Sequence, residues 1–448
     1  MHSYYIICML TISDYLLFPL YFFILFLIVS RYAKKYEGTP LKKYFISTFL
    51  IHVAGSILHT MMLVYYYGYG DAFIYFEGGD FIIKSIGNSE HFLKVFFMAG
   101  EELSQLPSYP ELSIYTQNSI LTASSLSAIK FSGLFSLFSF SHFFVNALLS
   151  GFLSFVGVWK LFWVFNDATN QRVQKWLDLA LIYTPTIWFW GSGAGKDSIS
   201  LGLMGISIYS IYQIGIKKHN IFFNLIIFVI TSFFLYHIKS TLLGILLVSA
   251  AGYLLVYTIQ KSKYLLTKFV FVLLAITAFT LFLISSADSI QEDLDEQALS
   301  VASNIKTYAD AESDESQGGF KPPEFTLTPA GIAGALPQTI FSTLYRPFIW
   351  EVKKPIMLLS ALESILMFLA LMFVILKGGL IYILKSIFTD PALFYCFIFC
   401  ILFAGIIGFT TFNFGTMVRY RLPLLPMYVY FIIGIYDRII LRPKVLKR

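Results

Sequence analysis

The chain has 448 residues and a formal charge of +6; 57% of its residues are hydrophobic and only 13% charged. Soluble domains carry roughly 25% charged residues, so this composition excludes an ordinary water-soluble fold. The positive charge by itself would admit nucleic acid, but its placement in short segments between apolar blocks is what membrane topology requires, and no nucleic-acid partner is expected. No Lys or Arg precedes Arg31, so the N-terminus does not read as a cleaved signal peptide.

Apolar blocks of about twenty residues match the thickness of a hydrocarbon core. They predict spans near 14–30, 44–66, 141–164, 177–194, 198–216, 221–238, 241–259, 268–286, 356–376, 392–412 and 420–437. The fold class read from them is an all-α, polytopic transmembrane helical bundle of about eleven spans with two long external loops. Arg31, Lys34, Lys35, Lys42, Lys43, Arg172, Lys175, Lys217, Lys218, Lys261, Lys263, Lys268, Lys377, Lys385 and the tail from Arg438 to Arg448 all fall on one side when sides alternate. That side is cytoplasmic by the positive-inside rule, which puts the N-terminus outside and the C-terminus inside. Residues 120–139 are apolar but contain Lys130 and several serines, and are expected to be interfacial or re-entrant. Residues 378–388 are too short to cross and are expected to lie flat on the cytoplasmic face. The chain thus divides into an extra N-terminal span and basic loop (1–43), a transmembrane core (44–286) carrying the first external segment 67–140, an external loop (287–355), and C-terminal spans with a basic tail (356–448). From Asp288 to Glu315 the second loop has nine carboxylates against one lysine, and it then becomes Gly/Pro-containing.

Chemistry-bearing residues concentrate in the external turns. Asp71 follows Tyr65 to Gly70 where the chain leaves the second span, with Tyr75, Glu77 and Asp80 close behind. A carboxylate beside lipid is partly desolvated and so more basic, which suits a general base; capping the next helix is the alternative role for Asp71. The turn Gly191-Ser192-Gly193-Ala194-Gly195-Lys196-Asp197-Ser198 resembles a phosphate loop but lacks the full G-x-x-x-x-G-K-[ST] pattern. Lys196 either meets a phosphate, with Asp197 orienting it, or forms an interfacial pair with Asp197. Lys239 sits in the predicted turn between the sixth and seventh spans, as part of a cationic cluster or as a snorkelling lysine. Of eight arginines only Arg346, Arg419 and Arg421 are expected outside. An arginine fork fits a phosphate bidentately; for Arg346 the alternative partner is Glu351. Glu363 lies inside a span, where an ionisable group is costly. Cys396 and Cys400, four apart in an apolar stretch, lack further soft ligands, so no metal is expected.

The order of these motifs resembles the GT-C superfamily of integral membrane glycosyltransferases: Asp71 after a span, Pro185 through Asp197 as a hairpin opening a helix, Lys239 opening a later span, and Arg419 to Pro426 as a terminal turn. Asp71 is followed by Ala72 where that family usually has a second acidic residue. The resemblance implies a polyprenyl-phosphate-linked sugar donor, a glycan or lipid acceptor, surrounding membrane lipids, no cofactor, and residence in a bacterial inner membrane. It further implies Asp71 as the base, with Lys196, Lys239, Arg346, Arg419 and Arg421 holding the donor phosphate. Tyr75, Glu77, Asp80, Asp197 and Glu351 support them. Two rival readings stay open: an O-antigen-type polysaccharide polymerase or ligase, whose chemistry would sit at 287–355 and Arg346, and a lipid-linked oligosaccharide flippase.

Overall fold

The structure, a computed structural model, describes residues 10–84, 97–98, 100–105, 112–169, 171–178, 180, 184–261, 319–320, 329–353 and 355–445. The predicted span 268–286 and the acidic part of the second external loop lie outside these residues. Eight helices among the described residues are long and apolar enough to cross a membrane, and nine if a bent pair counts as one span. The chain is therefore an all-α polytopic integral membrane protein. It divides into two units, one of residues 1–167 and 178–243, the other of residues 168–177 and 244–448.

In the first unit, α1 (Ile12–Ala33) starts at a capping box in which Thr11 and Asp14 satisfy each other's backbone and side-chain groups. Asp14 is buried, and its other oxygen accepts from the backbone N–H of Phe144 at 3.1 Å. α2 (Leu41–Met61) runs into a π-helical turn, Met62–Tyr67, that ends at Gly68 in the left-handed conformation, and α3 (Asp71–Lys84) follows. α4 (Ile114–Ile120) and α5 (Ala123–Ser139) meet at 108°, the bent geometry of a broken span or a re-entrant loop. α6 (Phe143–Ala168) is followed by a short helix α7 (Pro185–Trp190) and by α8 (Lys196–Tyr212).

The predicted span 177–194 is not one continuous helix among its described residues. Thr184 is extended and Pro185 opens α7 afresh, because a proline restricts the residue before it and suits a first helical turn. The predicted spans 221–238 and 241–259 share one 41-residue element, α9 (Ile221–Lys261), broken at Lys239 (φ −155°, ψ 73°). A straight helix of that length would run about 60 Å, twice a bilayer core. The break falls where the sequence places a turn.

Close backbone approach sets the packing of this unit. A Cβ on Gly157 of α6 would lie 2.3 Å from the Gly202 carbonyl oxygen, and one on Gly205 would lie 2.1 Å from that of Gly157. Small residues at such crossings let membrane helices gain dispersion contacts that lipid does not already supply. α3 and α5 meet the same way, since a Cβ on Gly79 would lie 2.6 Å from the Gly133 nitrogen. Tyr75, Ile82 and Ile129 are buried along this contact.

In the second unit, α10 (Pro329–Tyr345), α11 (Pro355–Gly378), α13 (Pro391–Thr410) and α15 (Leu424–Val445) are the longer helices. Between them, α12 (Leu380–Thr389) is a ten-residue apolar helix and α14 (Phe414–Tyr420) a seven-residue one capped by Asn413. Leu380, Ile381, Leu384 and Phe388 are exposed on α12, at the positions predicted to lie flat. One end of this unit is tied by two ion pairs on adjacent residues: Asp437 accepts from Arg172 at 2.7 Å and Arg438 donates to Asp390 at 2.6 Å. Asp390 also caps α13 through the backbone N–H groups of Ala392 and Leu393.

Candidate functional site

In the first unit the structure gathers several of the residues singled out by sequence. Asp71 opens α3 and is exposed; a carboxylate there is favoured by the positive end of the helix. Tyr75 lies one turn further on, about 6 Å along the axis and on the same face. The Tyr75 ring lies beside Lys196, whose ammonium is 5.4 Å from the ring centroid. The same ammonium donates to the hydroxyls of Ser124 and Ser125, each at 3.1 Å. Ser124 in turn donates to the Ile238 carbonyl at 2.8 Å. That carbonyl immediately precedes the break at Lys239, so Ser124 stabilises the backbone where α9 loses its regular hydrogen bonding. Lys196, Tyr75, the two serines and the Lys239 turn thus form one cluster.

The glycine-rich turn before Lys196 is shaped by packing. Gly193 lies against the His59 imidazole, where a Cβ would come within 2.3 Å of the ring. Ser56 donates to the Ser192 carbonyl at 2.8 Å, and Ser198 donates to the carbonyls of Gly193 and of Gly195, the latter at 2.9 Å. These contacts hold the turn against α2 and fix where α8 begins. Asp197, next to Lys196, is buried at the start of α8.

Glu77 and Asp80 point elsewhere. The Glu77 carboxylate accepts from the Ser113 backbone N–H and hydroxyl, both at 2.7 Å, and from the Thr116 hydroxyl. It latches α4 onto α3. Asp80 pairs with Lys84 at 2.6 Å, one turn away on α3. Hydrogen bonds to a charged acceptor contribute about 1.5–3 kcal/mol each. Replacing Glu77 with Gln is expected to loosen α4 without unfolding the protein, read as faster amide exchange across residues 112–120 with little change across α8. Unchanged exchange there would mean the latch contributes nothing.

The predicted arginines fall in the second unit and differ sharply in setting. Arg346 follows the last residue of α10 and holds Glu351 through both carboxylate oxygens, with Nε at 3.0 and 3.1 Å. Phe320 and Phe414 stack on each other at 4.6 Å, and the guanidinium carbon lies 4.3 and 4.9 Å from their ring centroids. The Arg346 side chain keeps 20% of its surface exposed. Arg419 is half-buried on α14. Arg421 has no exposed surface. Its Nη1 donates to the Arg346 carbonyl and the Ser364 hydroxyl at 3.0 Å and lies 3.4 Å from the carbonyls of Thr343 and Leu344. Its Nη2 lies 3.7 Å from Glu363, the intramembrane carboxylate, which is also buried.

Sequence reasoning missed Ser124, Ser125 and Ser364. The first two stand in the first turn of α5, just after its N-cap Thr122, and nothing in the sequence separates them from the other serines of that segment. Ser364 sits within a span next to Glu363 and carries no pattern that marks it.

A scan of protein-family models finds no match to the chain, and comparisons with curated proteins and with solved structures find none either.

Proposed function

We propose that this protein is a membrane glycosyltransferase of GT-C-like architecture. It takes a sugar from a polyprenyl-phosphate-linked donor and passes it to a glycan or lipid acceptor on the external face. The reading includes about eleven spans, an outer N-terminus, a cytoplasmic C-terminus and a bacterial inner membrane. It rests on the cluster around Lys196: an ammonium held by two serine hydroxyls and a tyrosine ring, on the same helix face as an exposed carboxylate one turn away.

In this reaction Asp71 takes the proton of an acceptor hydroxyl. The freed oxygen attacks the anomeric carbon with inversion, and the bond from that carbon to the phosphate oxygen breaks. The phosphate leaves as an anion. Lys196 neutralises the developing charge in a setting already arranged for it, which is where a fixed cation lowers a barrier most. Ser124 and Ser125 keep the ammonium in place before the donor arrives. Lys239 is assigned with Lys196 to the donor phosphate, and Arg346 and Arg419 of the second unit are each assigned, by their fork of donors, to binding a polyprenyl phosphate. A lipid carrier suits an active face that cytoplasmic nucleotide sugars do not reach.

The test is transfer by the purified protein, offered a polyprenyl-phosphate sugar and an acceptor. Lys196→Ala is expected to lower kcat/KM for the donor at least about tenfold, the loss of one charged hydrogen-bonding group at the leaving phosphate. Consumption of preassembled lipid-linked repeats alone would favour the polymerase reading. ATP-independent movement of an intact lipid-linked glycan across the bilayer, without transfer, would favour the flippase.

A further inference from the structure

Arg421 is the most deeply buried cation among the described residues, and no phosphate reaches a side chain with no exposed surface. Its contacts show what it does instead. The carbonyls of Thr343, Leu344 and Arg346 stand at the end of α10, where a helix has acceptors but no further N–H groups to meet them. Pro347 follows and supplies no N–H either. A guanidinium at this point satisfies buried acceptors and complements the negative end of the helix. Ser364 completes the arrangement from α11: its hydroxyl accepts from Arg421 at 3.0 Å and donates to the Arg346 carbonyl at 3.3 Å. The backbone of Arg346 is therefore gripped from two sides, while its side chain projects to the partly exposed position between Glu351 and the Phe320–Phe414 stack.

We propose that Arg421, with Ser364, is a positioning residue that fixes the Arg346 backbone, so that the Arg346 guanidinium, whose fork holds Glu351 in this structure, exchanges that carboxylate for the phosphate of the lipid carrier without its origin moving. This rests on the assignment of Arg346 to that phosphate. A bidentate fork recognises phosphate only when its origin is fixed to a fraction of an ångström. Lysine at 421 would keep the charge, but a single ammonium on a flexible stem does not reproduce contacts spread over three carbonyls and a hydroxyl.

The experiment is a double-mutant cycle on binding of polyprenyl monophosphate to the purified full-length protein in detergent, followed by titration. Arg346→Ala is expected to weaken binding at least about tenfold. Arg421→Lys and Ser364→Ala are each expected to weaken it about three- to tenfold in the wild-type background and to have no further effect once Arg346 is Ala. A purely structural role would not depend on Arg346, so equal losses in both backgrounds overturn the proposal. Unaltered binding by Ser364→Ala and Arg421→Lys overturns it as well. If Arg421→Lys does not fold, Ser364→Ala decides alone, since it removes one hydroxyl and leaves the buried charges paired. An unaffected Arg346→Ala instead refutes the assignment of Arg346 to the phosphate.

Discussion

Asparagine at position 71 is expected to lower kcat by a factor of about 10² to 10⁴, the usual contribution of a positioned general base. The donor KM should move by less than about threefold. Asn and Asp have nearly the same shape, and both offer an oxygen to the opening turn of α3. The substitution removes the negative charge and the capacity to accept a proton. A carboxylate at a helix start contributes only about 0.3–1 kcal/mol when exposed, and Asp71 is exposed. The variant should therefore melt within a few degrees of wild type, and lost turnover would report chemistry and not unfolding. Transfer at the wild-type rate would remove Asp71 from the base role. It would shift attention to the second unit, where Glu351 is the carboxylate beside Arg346.

Valine at Gly157 is expected to have the largest effect on the fold. The new Cβ would sit 2.3 Å from the Gly202 oxygen and 2.5 Å from its Cα. Both obstacles are backbone, so no side chain can rotate away. α6 and α8 would have to separate by an ångström or more, losing close contacts along the crossing. Overpacking in a tight interior commonly costs about 1–3 kcal/mol, and two rigid backbones put this case at or above the upper end. α8 begins at Lys196, so the same displacement pulls the ammonium away from Ser124 and Ser125. Loss of thermal stability and of transfer together is the expected result. Gly215→Ala is the control, since a Cβ there meets nothing within 4 Å and should be neutral. Equal melting temperatures for Gly157→Val and wild type would show that the helices tolerate a wider crossing.

The spans found among the described residues were legible because their signal is local: an apolar run either reaches about twenty residues or does not. Even the turn at Lys239 could be placed inside what is locally one helical element. The segment 177–194 failed the same reading because apolar content says nothing about continuity, and Pro185 restarts the helix. The site was only partly legible, for a different reason. Asp71 and Tyr75 share a helix face by spacing alone, but the meeting of Lys196 with Ser124 and Ser125 joins segments about seventy residues apart. Arg419 and Arg421 illustrate the limit most plainly. They are two residues apart with similar neighbours, yet one is half-buried and the other wholly enclosed. α14 has only seven residues, too few for a periodic apolar stripe to say which face turns inward.

The Asp14 carboxylate also carries a consequence for how the chain is made. One of its oxygens is met at once by Thr11, three residues away, but the other accepts from Phe144, 130 positions later. At roughly 5–20 residues per second of synthesis, that partner emerges on the order of ten seconds after Asp14 itself. Until then a charged oxygen without its partner is best served by water, which favours α1 staying near the bilayer edge. Its final seating is therefore expected to wait for the insertion of α6.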